Sequence, residues 1–294
     1  MRAAVIAEGA LHIEERPDPV PQSGELLIRV RGTGVNGADL MQRAGNYPPP
    51  PGAPVDIPGL ECAGETDDGR RVMALLPGGG HAELVAVHAS HTLPIPENVT
   101  WAEAGGFVET FATAHDALFT QAQLQPGERL LVHGAAGGVG VAAVQLGVAA
   151  GAHVTGTARH HVAEVAALGA DTEPTGEYDV ILELVGGENL ATNLEQLAYK
   201  GRIAVIGLGA GASAELNFGY LMRKRGRIHG SMLRARSREE KADVIRRLRD
   251  DVLPLLADGR VRVPVEETFP LARAQDAYER FAAGGKFGKI VIVA

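Results

Sequence analysis

The pattern of apolar and polar positions changes character part-way along the chain. Up to about residue 117 it reads as strands and loops. Residues 25–31 (ELLIRVR) alternate with the period of two expected of a strand with one buried face. Asp67-Asp68-Gly69 marks a hairpin between strands at 62–66 and 70–76. The run NYPPPPGAP is neither helix nor central strand, because proline lacks an N–H donor and fixes φ, so an ordered loop or extended segment is expected. From about residue 118 short apolar strands (130–133, 153–158, 178–185, 202–207) alternate with helical stretches: VAAVQLGVAAGA, a helix through 168 and a segment near 189–199. Another strand at 227–230 precedes an Arg/Glu-rich amphipathic helix at 237–257, and the stretch 263–294 ends in the strand-like KIVIVA. Strand–helix alternation implies parallel βαβ units and a doubly wound sheet.

Composition narrows the class. The 294 residues suggest two domains. With 45% hydrophobic and 22% charged residues the chain has a globular composition, not a disordered one. Aromatics at 4% leave the core to Ala, Val, Leu and Ile. The 28 basic and 36 acidic residues give a net charge of -8, which opposes general nucleic-acid binding. The basic runs MRKRGR and RARSREEKADVIRRLR lack interleaved aromatics, and Glu239, Glu240, Asp243 and Asp250 nearby indicate a solvated helix face. One cysteine, Cys62, allows no internal disulfide and no cysteine-rich zinc site. The opening segment has no apolar run of signal-peptide length, and no stretch resembles a membrane span. A cytoplasmic protein with no membrane and no nucleic-acid partner is expected.

The strongest local signal is LLVHGAAGGVG, which from Ala135 reads A-x-G-x-x-G with Gly137 and Gly140 in place. Small residues there allow a tight turn, approach of a pyrophosphate to bare backbone, and close strand–helix packing. A strand precedes it, a helix follows and a second strand comes about 20 residues on, as a dinucleotide fold requires. The second strand ends in Thr157-Ala158-Arg159-His160-His161, with no acid until Glu164. An NAD site usually has an acid there for the ribose 2′-hydroxyl, whereas an arginine suits a 2′-phosphate. NADPH is therefore the expected cofactor, against a simple solvated Arg-His-His cluster.

The motifs together resemble the quinone oxidoreductases of the medium-chain dehydrogenase/reductase superfamily, relatives of zeta-crystallin. The resemblance rests on VNGADLMQRAGNYPPPPGAP, IPGLECAGE, LVHGAAGGVG, GRIAVIG, GSMLRARSREEK and GKIVIV, and spans nearly the whole chain. It implies an α/β fold: a Rossmann doubly wound parallel sheet at 118–262, plus a GroES-like, mostly β catalytic domain from 1–117 together with 263–294. A homodimer is the assembly it implies. In the superfamily's zinc alcohol dehydrogenases a cysteine ligand falls where this chain has Asn36, and a histidine ligand where it has Leu60, so no metal is expected. By the same resemblance Asn36 and Tyr47 lie near the nicotinamide and substrate. Alternatively Asn36 caps a helix and Tyr47 packs. Cofactor contacts are expected from Thr113, Gly137, Gly138, Val139, Gly140, Thr157, Arg159, Gly207, Leu208 and Ser231. Glu61 and Cys62 read as core and strand-register residues, and the ten histidines as surface or helix-end residues.

The chain departs from the family pattern in three places. The segment between the GLE and RV strands is cut to a hairpin around residues 67–69. The segment after LGAD passes through TEPTGEYDV without the usual strand, and the Gly-Ser-x-x-Lys phosphate clamp is missing. The expected function is metal-free reduction of a small-molecule quinone, or a similar electron-poor carbonyl or alkene, by NADPH. A non-catalytic NADPH-binding redox sensor or structural relative is the alternative.

Overall fold

A computed structural model describes residues 1–293, which form two compact units. The last residue of the KIVIVA run, Ala294, lies outside the described residues.

The first unit comprises Met1–Ala112, Leu233–Gly284 and the chain from Lys289 onward. Its main sheet has the strand order Val265–Pro270, Lys289–Val293, Glu25–Val35, Glu61–Thr66, Arg71–Leu75, Thr92–Pro94, and Leu84–His88 also pairs with Glu25–Val35. The first pair is parallel and the others antiparallel. Glu25–Val35 runs four residues beyond the alternating stretch because Gly32, Thr33, Gly34 and Val35 pair with Val293, Ile292, Val291 and Ile290. Arg2–Ala7 and Ala10–Glu15 form a separate hairpin. One buried cluster (Ile28, Val30, Cys62, Val72, Ala74, Val85, Val87) fills one part of the unit. A second, including Leu11, Val35, Phe269, Tyr278, Ile290 and Ile292, packs around the C-terminal strand.

This stretch is not strands and loops alone. It holds the helices Gly37–Arg43 and Trp101–Gly105 and most of Val108–His115. Thr100 and Glu103 close a capping box on Trp101–Gly105, the hydroxyl taking the Glu103 N–H at 3.3 Å and the carboxylate the Thr100 N–H at 2.9 Å. The expected 237–257 helix is two, Arg238–Asp251 and Leu253–Ala257, because Pro254 has no N–H to carry the first one on. Both belong to this unit and not to a 118–262 domain. Val244, Ile245 and Leu248 are buried, His91 Nε2 meets the Arg238 carbonyl at 3.0 Å, and Arg249 donates to the Thr92 carbonyl at 3.0 Å.

The second unit comprises Thr113–Met232 and Gly285–Gly288. Its five strands are all parallel, in the order Arg227–Gly230, Leu197–Val205, Tyr178–Glu183, Arg129–His133, His153–Thr157. Ile228, Ile203, Ile181 and Leu131 stand side by side across this sheet. Leu131, Ile181 and Ile203 are fully buried with Tyr178, Leu194 and Leu197. The helical segment expected at 189–199 is shorter, Leu190–Glu195, because Leu197 is drawn into the sheet opposite Tyr178. After LGAD a single residue pairs at the edge. Asp171 accepts from Gly156 N at 2.8 Å and donates to the Val154 carbonyl at 2.9 Å. Among the described residues no helix is long and apolar enough to cross a membrane.

Candidate active site

In the first unit, strand Glu25–Val35 ends at Asn36, the N-cap of helix Gly37–Arg43. The Asp39 carboxylate accepts from the Asn36 N–H at 2.8 Å and from the Gly59 N–H at 3.0 Å. Asn36 therefore does cap a helix, and its side chain has a further place. Its Oδ1 accepts from Lys289 Nζ at 2.7 Å, while its Nδ2 donates to Glu61 Oε1 at 3.0 Å and to the Gly34 carbonyl at 3.3 Å. Lys289 Nζ also donates to Glu61 Oε1 at 2.7 Å and to the Val35 carbonyl at 3.2 Å. The three N–H donors of the ammonium thus meet three acceptors, as a buried charge requires. Side-chain exposure is 3% at Lys289 and 0% at Glu61. Gly34 makes room for this cluster, since a Cβ there would fall 2.8 Å from Lys289 Cε.

Around this ion pair lie groups whose ionisation burial has changed. His81 is wholly buried, which lowers its pKa and keeps it neutral. Its Nδ1 lies 3.1 Å from the Tyr278 hydroxyl and its Nε2 lies 3.4 Å from the Gly34 carbonyl. His91 and His115 are buried too, so three of the ten histidines are not surface residues. Burial and the adjacent Glu61 charge push the Cys62 thiol up, leaving it a core thiol.

Tyr47 sits in the proline loop, held from behind by Arg234. The Arg234 guanidinium donates to the Tyr47 carbonyl at 3.1 Å, the Gln42 Oε1 at 2.6 Å and the Pro77 carbonyl at 2.8 Å, with its centre 5.1 Å from the Tyr47 ring centroid. No described residue is hydrogen-bonded to the Tyr47 hydroxyl, whose pKa is raised by burial and by the Glu109 charge. Glu109 opens the first turn of helix Val108–His115 and donates its backbone N–H to Glu61 Oε2 at 3.0 Å. Burial, with the charges of Glu61 and Asp39, pushes its carboxyl up to about 8. Sequence reasoning missed Glu109, Arg234 and Lys289. Lys289 and Arg234 stood in the quoted motifs GKIVIV and GSMLRARS, but nothing local ties them to Glu61 or Tyr47.

In the second unit the glycine turn leads into helix Gly138–Ala149, capped by Gly137 with no side-chain acceptor. Gly138, Val139 and Gly140 form the first turn, whose N–H groups and positive dipole end suit an anion. Gly140 is fixed by close packing: a Cβ there would fall 2.7 Å from Ala135 Cα. This cradle fits a dinucleotide pyrophosphate. Thr157 ends strand His153–Thr157 with its hydroxyl 2.9 Å from His133 Nδ1. Arg159 is exposed with no partner among the described residues. Two residues on, His161 takes a left-handed turn (φ 62°), its Nε2 3.1 Å from the Gly285 carbonyl. Gly207 and Leu208 follow strand Leu197–Val205. Gly207 donates to the Glu183 carbonyl at 3.1 Å, and Leu208 is exposed. Ser231 N donates to the Val205 carbonyl at 3.3 Å, and Thr113 is half-buried on its helix. Buried Glu183, at the end of its strand, was also missed. It accepts from Val185 N at 2.7 Å, Gly186 N at 2.9 Å and Asn193 Nδ2 at 2.8 Å. An acid inside the apolar run VILELV was its sequence signal.

Residues 22–97 match the family described as alcohol dehydrogenase GroES-like domain, and residues 151–292 the family described as zinc-binding dehydrogenase. Quinone oxidoreductase of Mus musculus is 31% identical over 307 residues, covering 94% of this chain and 91% of that protein. The chain belongs to the medium-chain dehydrogenase/reductase superfamily. The solved quinone oxidoreductase of Thermus thermophilus, described with its complex with NADPH, superposes with a TM-score of 0.89. It is 35% identical, and the match covers both chains completely. A synaptic vesicle membrane protein VAT-1 homolog-like of Mus musculus is 28% identical, over 99% of this chain and 81% of that protein.

Zinc appears in one family description, and the side chains of this superfamily member do not fit it. Among the described residues no group of three or more His, Cys, Asp or Glu is placed to hold a metal. Asn36, which the resemblance puts in place of a cysteine ligand, accepts from the ammonium of Lys289, a positive charge already paired with Glu61. Catalytic zinc wants three protein ligands and an open position.

Proposed function

We propose that this protein reduces quinones, or similar electron-poor carbonyl or alkene substrates, with NADPH and without metal. The observation that carries the reading is the Lys289–Glu61–Asn36 cluster: a side-chain ammonium stands beside Asn36, where the resemblance would put a zinc ligand in the superfamily's zinc enzymes. The likeness to quinone oxidoreductases supports the same reading. A bound NADPH would supply the hydride, and Gly137, Gly138, Val139 and Gly140 would hold its pyrophosphate.

A quinone is already electrophilic, so the protein's work is to orient the ring and meet the charge that develops on its oxygen. Positioning alone supplies several kcal/mol, up to about 7–11 in favourable cases. Both amide hydrogens of Asn36 are used inside the protein, which makes Asn36 a residue that orders its neighbours and not the donor to substrate. Tyr47, whose hydroxyl has no hydrogen-bond partner among the described residues, is the donor toward the developing oxyanion. We expect Tyr47→Phe to lower kcat/KM about tenfold, less than the 10²–10³ typical of a lost oxyanion donor, because a quinone is reactive. The deciding experiment is stopped-flow oxidation of bound NADPH by a panel of ortho- and para-quinones, with primary alcohols as controls and a parallel run after chelation. Quinone turnover insensitive to chelation supports the proposal. NADPH binding without turnover would favour a non-catalytic relative.

A further inference from the structure

In the second unit one chain of side-chain hydrogen bonds crosses the C-terminal ends of three parallel strands. His133 pairs with Thr157 on one neighbouring strand, and Glu183 continues the register on the other. Paired residues of a parallel sheet point to one face, here the face that carries Leu131 and Ile181 and meets helix Leu190–Glu195. Glu183 Oε1 accepts from Val185 N, Gly186 N and Asn189 Nδ2, and its Oε2 accepts from Asn193 Nδ2 at 2.8 Å. Asn193 Oδ1 lies 2.8 Å from His133 Nε2, and His133 Nδ1 lies 2.9 Å from Thr157 Oγ1. Glu183 and Asn193 are buried and the His133 side chain nearly so. These contacts fix where each proton lies. A carboxylate only accepts, so Asn193 turns its amide N–H groups to Glu183 and its carbonyl oxygen to His133. That oxygen takes the Nε2 proton. A neutral imidazole carries one N–H, so Nδ1 is an acceptor and the Thr157 hydroxyl donates to it. The Thr157 oxygen keeps only lone pairs, and no other described residue is hydrogen-bonded to it. Thr157 is half-buried at the end of the second strand, where a dinucleotide fold meets the adenosine ribose.

We propose that Glu183, Asn193 and His133 are positioning residues that hold Thr157 as an acceptor for a hydroxyl of the adenosine ribose. The inference rests on the reading that this unit binds NADPH. An oxygen with no proton to offer repels a phosphate oxygen and accepts an O–H. The 2′-phosphate therefore falls to Arg159, whose guanidinium has no partner among the described residues. The hydroxyl left on that ribose, at the 3′ carbon, donates to Thr157. Recognition is divided between the two residues: Arg159 tells NADPH from NADH, and Thr157 contributes alike to both. A threonine free to rotate serves a donor or an acceptor equally well. Here the choice is made before the cofactor arrives, because the direction of the chain is anchored at a carboxylate that already accepts four N–H groups.

Fluorescence titration with NADPH and with 3′-deoxy-NADPH, which keeps the phosphate and lacks the hydroxyl, tests the contact without turnover. Wild type should bind the deoxy compound about fivefold more weakly, the worth of one neutral hydrogen bond. Thr157→Val should bind the two alike, and Thr157→Ser, which keeps the hydroxyl, should retain the difference. Thr157→Val should also weaken NADPH and NADH by the same factor. His133→Phe keeps Thr157 but frees its hydroxyl to turn, and should narrow the difference to about twofold. Nitrogen-15 spectra of the free protein at about pH 8 read the relay with no ligand present: the His133 ring should be neutral with its proton on Nε2. A proton on Nδ1, or an imidazolium, reverses the Thr157 hydroxyl and overturns the relay. Equal wild-type affinities for NADPH and its 3′-deoxy form, or a difference that survives in Thr157→Val, overturn the ribose contact while leaving NADPH binding standing. Should His133→Phe fail to fold, the Thr157 variants and the wild-type spectra still decide. A wild type that binds no NADPH overturns the cofactor reading itself, and the first titration reveals it.

Discussion

Lys289 ties the C-terminal strand to Glu61 at a point where neither side chain reaches water. Each would carry a large desolvation cost alone, and together with Asn36 and the Val35 carbonyl they satisfy one another. Truncating one partner leaves the other charge buried. We therefore expect Lys289→Met to cost about 3–5 kcal/mol, read as a lower urea midpoint. Lys289→Met combined with Glu61→Leu should recover much of that loss, because replacing both charges removes the orphaned carboxylate. Equal midpoints for Lys289→Met and wild type would show that the pair contributes nothing. Arg234 works on the same principle at the proline loop. Three of its donors are spent on Gln42, Tyr47 and Pro77, and the ring of Tyr47 lies against its guanidinium. A residue in a loop is thereby held almost as firmly as one in a strand.

At the scale of elements, strand His153–Thr157 ends in a short exposed segment where Arg159 has no partner among the described residues and His161 turns left-handed. That free guanidinium suits a 2′-phosphate, and its exposure limits what it contributes. We expect NADPH to bind roughly tenfold more tightly than NADH, one decade being about 1.4 kcal/mol. Arg159→Ala should erase most of the difference in fluorescence titrations, and equal affinities in wild type would refute the assignment. The parallel sheet and its glycine turn were legible because strand and helix periods alternate and Ala135, Gly137 and Gly140 stand at fixed spacing. Helix Trp101–Gly105 was legible in principle, since Thr100 and Glu103 spell a capping box, but the short elements around it hid the signal. Lys289 and Glu61 lie 228 positions apart, so no local pattern announces their pairing. The raised pKa of Glu109 likewise comes from tertiary neighbours, and a sequence shows only another glutamate on a helix.

At the scale of the whole molecule, strand Arg227–Gly230 closes one side of the parallel sheet and pairs only with Leu197–Val205 among the described residues. An uncovered edge offers a row of N–H and C=O groups to another chain. Apolar side chains on the nearby elements are also left in the open: Met222 is 75% exposed and Phe218 68%, both on helix Phe218–Lys224, and Met232 just past the strand is 53% exposed. That helix packs on strand Leu197–Val205 through Tyr220 and Leu221, so Phe218 and Met222 are not needed to hold it there. Their exposure costs solubility in a lone chain and contributes favourably if a second copy covers them. Two copies related by a two-fold axis would place edge strand against edge strand and each exposed helix near its counterpart, a self-complementary contact. We therefore expect a homodimer in light scattering at micromolar concentration. Phe218→Glu with Met222→Glu should shift it to monomer without lowering the stability of the isolated chain, because both side chains are already in solvent. A wild-type monomer, or a dimer indifferent to both charges, would mean that this edge is protected in some other way.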